Sequence, residues 1–344
     1  MNEHYRRLAF ELDDGGKGDF ISGWQCENPF AARLLEKVRR RCDDVDFTRY
    51  TYFDADERLV NAVKTFHVHA DGRSPEAVLC GPGASPLLAA FLAWLASQKR
   101  VQVHYMPPIY HSILVGLQLY GISATRVSER HAFESDCNVC LPDENTVLFL
   151  TDPLWYCGAV VQRELLLSIA EWQRSTKSMV FVDGSFQYLP WKVGFTELTT
   201  LLEPHLTFRL VNPCKQLAIH GYRFAYLITP EDRIDGMAWI STNLTGPASA
   251  ESIQFAHEAM DAVEEQIIPR RLIEVAKDRF RTLSVAKRIV VDPEPVCGYS
   301  AFCRIAHPLP SDYVLMDGRY FDQPRYPGFV RVNLLSPSIG LLMS

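Results

Sequence analysis

No apolar run in this sequence is long enough to cross a bilayer: the longest, Pro86 to Ala96, falls far short of a membrane helix. The N-terminus, MNEHYRRLAFELDDGG, mixes both charges and has no apolar h-region, so a cytoplasmic chain without a secretory leader is expected. A basic stripe is also missing. Lysine and arginine gather only in short clusters such as Lys37 to Arg41 and the net charge is −6, so no nucleic acid is expected as partner. Nine cysteines scatter along the chain, and their only close pair, Cys137 and Cys140, has no second pair at zinc-site spacing. Reduced thiols and no metal follow. His67 and His69 end a helical pattern and read as ordinary helix surface. Internal repeats and low-complexity segments are absent as well.

What is present is enough apolar sequence for a large core. With 344 residues, 47% hydrophobic and 22% charged, the chain is expected to form one large domain and one smaller one. From about residue 77, short apolar runs alternate with amphipathic ones. Residues 77–80, 101–105, 123–127, 146–150, 179–182, 206–211 and 224–228 read as strands, and 86–97, 111–120 and 162–174 as helices. This alternation predicts an α/β fold: a mostly parallel, seven-stranded sheet with helices on both faces. The flanks read as helices over 27–45 and 55–66, a long broken helix over 249–284, and strands and turns beyond 286. The expected division is an N-terminal segment (1–48) and a C-terminal segment (246–344) that together build a small α+β domain, around a large domain spanning 49–245.

In such sheets ligands collect at the carboxyl ends of the strands. After the strand ending at Cys80 comes Gly81-Pro-Gly-Ala-Ser85-Pro and then a helix, whose free N–H groups, approached through glycine, suit a phosphate. A dinucleotide fingerprint fits less well, because Pro86 replaces its last glycine and no acidic residue closes the next strand. The strand 179–182 ends in Asp183, a carboxylate that needs a cationic partner if buried. The run 205–213 is followed by a single lysine, Lys215, and eight residues later by Arg223. Pyridoxal phosphate would use all these groups together: its phosphate at Gly83 and Ser85, its ring nitrogen at the acid, its aldehyde at the amine.

At these residues the chain resembles the fold-type I pyridoxal-phosphate enzymes, in particular the class I/II aminotransferases and their histidinol-phosphate-aminotransferase-like branch. The resemblance runs over roughly residues 23–333 as ordered motifs. It implies a phosphate turn at Gly83-Ala84-Ser85, a ring-stacking aromatic at Tyr110 in Pro108-Ile-Tyr110, and a ring-nitrogen acid at Asp183. It also implies a Schiff-base lysine at Lys215, a phosphate arginine at Arg223 and, in Phe329-Val-Arg331-Val-Asn333, an arginine at Arg331 for the substrate α-carboxylate. Tyr52 resembles the tyrosine that reaches the phosphate of the neighbouring subunit's cofactor, which implies a homodimer with shared sites. Lys215 would then move a proton between substrate Cα and cofactor, and Arg331 would align the substrate.

The departures concern the cofactor's phenolic oxygen. Asp152-Pro-Leu-Trp155 matches the family's cofactor-binding asparagine segment with Trp155 in the asparagine's place, and Phe186 replaces a tyrosine donor to the same oxygen. Asn212 stands for a phosphate-binding serine and Cys214 for a small hydroxyl residue. Tyr156 or Tyr188 is the expected replacement for the lost donors; otherwise the cofactor's electronics differ. The expected activity is amino transfer on an amino acid. The alternative is a lyase or cyclase acting at Cβ or Cγ, for example on an arginine-like substrate. Trp24 and Glu27 lie where the family's N-terminal segment covers the substrate, Glu27 as a candidate partner for a cationic side chain. A non-catalytic cofactor-binding module, as in some transcription regulators, conflicts with retention of Lys215, Asp183, Arg223 and Arg331.

Overall fold

Seven apolar runs become seven strands of one sheet: β1 (Ala77–Gly81), β2 (Val103–Tyr105), β3 (Ala124–Arg126), β4 (Val147–Thr151), β5 (Met179–Gly184), β6 (Thr207–Val211) and β7 (Ala225–Thr229). The computed structural model describes residues 21–53, 56–98, 101–307, 315–321 and 325–343. The strand order is β1-β7-β6-β5-β4-β2-β3. Neighbours from β6 through β3 pair in parallel, while β7 runs antiparallel to both β6 and β1. Because β7 returns beside β6, the link 212–224 turns at the carboxyl end of β6. That link carries Lys215 and Arg223.

The central strands are apolar because both faces are covered. On one face, α3 (Ala84–Ser97) buries Leu87, Leu88, Phe91 and Leu95, with Phe91 4.5 Å from Phe181 and 4.9 Å from Phe208 between ring centroids. Burial of one such side chain contributes about 1.5–3 kcal/mol. On the other face lie α2 (Glu57–Asp71), capped by Asp56 accepting from the Leu59 N–H at 3.0 Å, and α8 (Ala250–Glu265). The remaining helices of the large unit are α4 (His111–Leu119), α5 (Arg163–Thr176), the short α6 (Pro213–Gln216) and α7 (Ile234–Thr245). The break expected in the long C-terminal helix falls at Gln266, whose φ of 59° separates α8 from α9 (Ile267–Val285). Helix α1 (Ala32–Cys42) packs against α8 through Leu34 and Val38.

Beyond α9, β8 (Ile289–Val291), β9 (Ser300–Ile305) and β10 (Phe329–Asn333) form an antiparallel sheet in the order β10-β9-β8. The N-terminal segment is tied to it through Asn333. The Asn333 backbone N–H donates to Ile21 O at 2.9 Å, and its side-chain amide donates to Gly23 O at 3.1 Å and Gln25 O at 2.8 Å. The segment from Ile21 to Gln25 therefore meets strand β10.

His67 corrects one expectation. His69 is exposed, but His67 is fully buried in α2, bridging Asp71 at 2.8 Å and the Tyr226 hydroxyl at 3.0 Å. Arg209 pairs with Asp71 from β6, and the Tyr188 hydroxyl donates to the same carboxylate at 3.0 Å. Alternation along β6 sends Phe208 and Leu210 toward α3 and leaves Arg209 and Val211 facing α2. Helical periodicity cannot show that an arginine from a distant strand awaits the imidazole.

Candidate active site

The carboxyl ends of β1, β4, β5 and β6 open into a cavity of about 520 Å³. Strand β5 ends in Asp183, which is 7% exposed and accepts from the Ser185 N–H at 3.1 Å and the Ser185 hydroxyl at 2.6 Å, both on Oδ1. Its Oδ2 has no protein hydrogen-bond donor among the described residues. Burial raises the Asp183 carboxyl against the opposing pull of the Ser185 bonds and the Lys215 charge. A cationic partner at that oxygen would restore the anion.

After β6, Asn212 caps α6 by accepting from the Cys214 N–H at 3.1 Å. This cap sets Lys215 on the first turn. Lys215 is half-buried, and its amine is lowered to about 8, first by desolvation and then by the charge of Arg331. Its Nζ stands 4.6 Å from the Trp24 ring centroid and 5.6 Å from that of Phe186. A lysine so placed supplies neutral amine near physiological pH, the form that attacks a carbonyl.

Between β1 and α3, Gly83 adopts φ +104°, and a Cβ there would lie 2.9 Å from Arg223 Nη2. Glycine is needed twice over, for the backbone and for the approach of the guanidinium. No side chain caps the first turn of α3, so its N–H groups at Ala84 and Ser85 point to the space that Arg223 borders. Arg223 donates to His220 O at 3.3 Å and pairs with no carboxylate among the described residues. Uncapped N–H groups, the Ser85 hydroxyl and an unpaired guanidinium make an anion cradle.

Trp24, Ala84, Ser85, Tyr110, Trp155, Asp183, Asn212, Lys215 and Arg223, all expected from sequence, line this one cavity. Five expected residues do not. Gly83 stands just before Ala84 and against Arg223. The Asp152 carboxylate turns behind the wall to accept from the Val161 N–H at 2.8 Å, and burial pushes it up to about 7. Glu27 pairs with Arg279 at 2.7 Å, so its cationic partner belongs to this chain. Tyr52 borders a small separate pocket with Phe53 and Leu79. Arg331 is fully buried beside the cavity, under Trp24.

Neither expected replacement donor reaches the cavity. Tyr156 binds His131 at 2.7 Å, and Tyr188 belongs to the Asp71 network on the other face of the sheet. His220 and Ser185 line the cavity without having been singled out. His220 could have been read from its place just before Gly221-Tyr-Arg223, and Ser185 from its place two residues after Asp183.

The site fits pyridoxal phosphate on three grounds. It offers an anion cradle, an amine of lowered basicity and a carboxyl that lacks a cation. It also holds orphaned polar atoms: Thr151 Oγ1, Trp155 Nε1 and His220 Nε2 are buried without partners among the described residues, and all three residues line the cavity. Buried polar atoms of this kind call for a ligand that satisfies them.

The sequence profile of the family "Aminotransferase class I and II" matches residues 26–290. No curated protein matches the chain. Among solved structures, it is similar to a probable N-succinyldiaminopimelate aminotransferase from Thermus thermophilus, with 16% identity, 97% of this chain and 94% of that one covered, and a TM-score of 0.77. It is similar also to an aspartate aminotransferase from Thermotoga maritima, with 17% identity, 99% and 94% coverage and a TM-score of 0.79. Substrate-bound BacF from Bacillus subtilis shares 14% identity over 100% and 94% of the two chains, with a TM-score of 0.81. The chain belongs to the class I and II aminotransferases, the pyridoxal-phosphate-dependent transferases of fold type I.

Proposed function

We propose that this protein transfers the amino group of an amino acid, with Lys215 as the amine that bonds the cofactor's aldehyde carbon and as the proton carrier at substrate Cα. The observation that carries this reading is the convergence of Lys215, Asp183 and Arg223 on one cavity, with the lysine lowered to about 8. Pyridoxal phosphate supplies the aldehyde and the protonated ring that accepts electron density from Cα.

The chain's own groups do the rest. Gly83, Ala84, Ser85 and Arg223 would hold the phosphate, Tyr110 would take the ring, and Asn212 holds the turn that presents Lys215. Asp183 keeps a proton on the ring nitrogen, since a carboxylate buried there is stable only beside a cation. Once the substrate is bound, Lys215 would be a neutral base of suitable strength for the Cα proton and would return that proton as an acid. Arg331 takes the substrate α-carboxylate in bidentate fashion and so fixes which Cα bond faces the ring.

The working form we infer is a cytoplasmic homodimer in which Tyr52 serves the neighbouring copy's cofactor phosphate. Tyr52 lies outside its own chain's cofactor cavity, and Phe47 and Tyr50 nearby are 60% and 82% exposed. Among the described residues no helix is long and apolar enough to cross a membrane.

A second reading, elimination or cyclisation at Cβ or Cγ, is favoured by one observation. Phe186 lines the cavity where a hydroxyl donor is expected and neither Tyr156 nor Tyr188 replaces it, so that of the two expected donors only an N–H, the indole of Trp155, is offered. Absorbance of the purified protein with an amino-acid panel separates the two. Amino transfer predicts a yellow protein that each good substrate bleaches, with borohydride fixing the cofactor on Lys215. A yellow colour that persists while ammonia, water or carbon dioxide is released supports the second reading, and a protein that takes up no cofactor overturns both.

A further inference from the structure

One indole covers two cations. The Trp24 ring centroid stands 4.0 Å from Arg331 Cζ and 4.6 Å from Lys215 Nζ, and Trp155 packs beside it with centroids 5.6 Å apart. Arg331 itself is 0% exposed and does not line the cavity, whereas Trp24 does. Its guanidinium is already engaged, donating to Ser22 O at 2.8 Å and to the Ser300 hydroxyl at 3.3 and 3.1 Å. A carboxylate entering the cavity therefore meets the face of Trp24 before it meets Arg331.

The backbone around this ring is pinned. Asn333 holds Gly23 O and Gln25 O on either side of Trp24, and Ser22 is held from both directions, its hydroxyl donating to Arg331 O at 2.5 Å and accepting from the Met316 N–H at 2.9 Å. The indole is only partly buried, so uncovering Arg331 needs rotation of one side chain.

We propose that Trp24 is the specificity-determining residue of this site: a substrate carboxylate must displace its ring from Arg331, and the same rotation uncovers Lys215. The proposal rests on the reading that Arg331 takes the α-carboxylate. The exchange is favourable for a carboxylate, because a bidentate charge-assisted pair replaces a cation–π contact. It is unfavourable for a simple amine. An amine without a carboxylate offers Arg331 nothing and meets a ring still lying over Lys215. The ring thus favours α-amino acids over the decarboxylated amines derived from them.

The test uses holoenzyme and hexanoate, a carboxylate with no amino group, followed by calorimetry and by tryptophan fluorescence. Wild-type protein is expected to bind hexanoate with a saturable fluorescence change that Trp24→Phe loses while still binding. Trp24→Ala is expected to bind it about tenfold more tightly, since no cation–π contact is broken, and to gain nothing for neutral hexanamide. Turnover of hexylamine should rise relative to that of a matched amino acid. If Trp24→Ala binds hexanoate no better than wild type while Arg331→Lys weakens it tenfold or more, the ring is not in the way. The gate is then wrong and the carboxylate reading stands. If Arg331→Lys leaves hexanoate binding unchanged, the carboxylate sits elsewhere and both fall. Should Arg331→Lys fail to fold, the hexanoate and hexanamide affinities of Trp24→Ala still decide the gate.

Discussion

Two regions of the sheet, its face toward α2 and the carboxyl ends of its strands, treat buried charge in opposite ways. Toward α2, Arg209, Asp71, His67, Tyr188 and Tyr226 form a network in which Asp71 receives three donors. Burial alone would raise the Asp71 carboxyl, yet the hydrogen bond from His67 and the charge of Arg209 hold it well below the usual range. At the carboxyl ends of the strands, Lys215, Asp183 and Arg223 are brought together with no ion pair among them, and Thr151 Oγ1, Trp155 Nε1 and His220 Nε2 have no partner among the described residues. Charges satisfied inside the chain hold the fold, and charges left open wait for a ligand.

Removing one charge from each region sharpens that contrast. Lys215→Ala should lower turnover by at least about 10²- to 10⁴-fold, the scale of lost proton transfer alone, with the thermal midpoint of the cofactor-free protein unchanged. Asp71→Ala should do the reverse. It leaves Arg209 and His67 buried without their carboxylate and should cost about 3–5 kcal/mol of stability by denaturant titration, with turnover per folded molecule preserved. A Lys215→Ala protein that turns over normally, or an Asp71→Ala protein as stable as wild type, would break the comparison outright.

The same contrast explains what was legible in the sequence. The seven strands were, because short apolar runs covered on both faces look alike whatever they pack against. Asp183 and Lys215 were legible because each is a charged residue at or just after the end of such a run, where the fold class places ligands, and Arg223 because it opens the next run eight residues after the lysine. The fate of His67 was not, since its partner Arg209 lies more than a hundred residues away on strand β6. Arg331 was legible as a residue but not as a buried one: the groups that cover it, Ser22 and Trp24, come from the opposite end of the chain. Side-chain direction was also hidden. Thr151 and Pro153 line the cavity while Asp152 between them turns away, as alternation along an extended segment requires.

Two substitutions of intermediate effect separate holding the cofactor from using it. Asp183→Asn removes the charge proposed to stabilise a protonated ring nitrogen and should lower turnover about 10²-fold, the scale of one preorganised electrostatic group. Cofactor uptake should survive. Gly83→Ala forces a side chain into φ +104° and against Arg223, so cofactor affinity should fall about tenfold while the bound fraction turns over normally. Spectroscopic titration with pyridoxal phosphate, set beside turnover at saturation, tells the two apart. If both variants lose affinity alike, Asp183 acts as an anchor and not through charge.

The smallest expected effect tests the electrostatics of the open strand ends directly. Lys215 is lowered to about 8 by burial and, secondarily, by the charge of Arg331. Only the neutral amine reacts with an acylating reagent, so labelling of Lys215 in cofactor-free protein, followed by peptide mass, should climb about tenfold per pH unit below that value and level off above it. Arg331→Met removes the second cause and keeps the first. The midpoint should therefore move up, because a missing neighbouring cation lets the ammonium persist to higher pH, yet stop short of an ordinary lysine because burial remains. On the face toward α2 no such adjustment is available, since Asp71 and Arg209 already set each other's charge. An unmoved Lys215 midpoint in Arg331→Met would mean that Trp24 insulates the two cations as well as covering them.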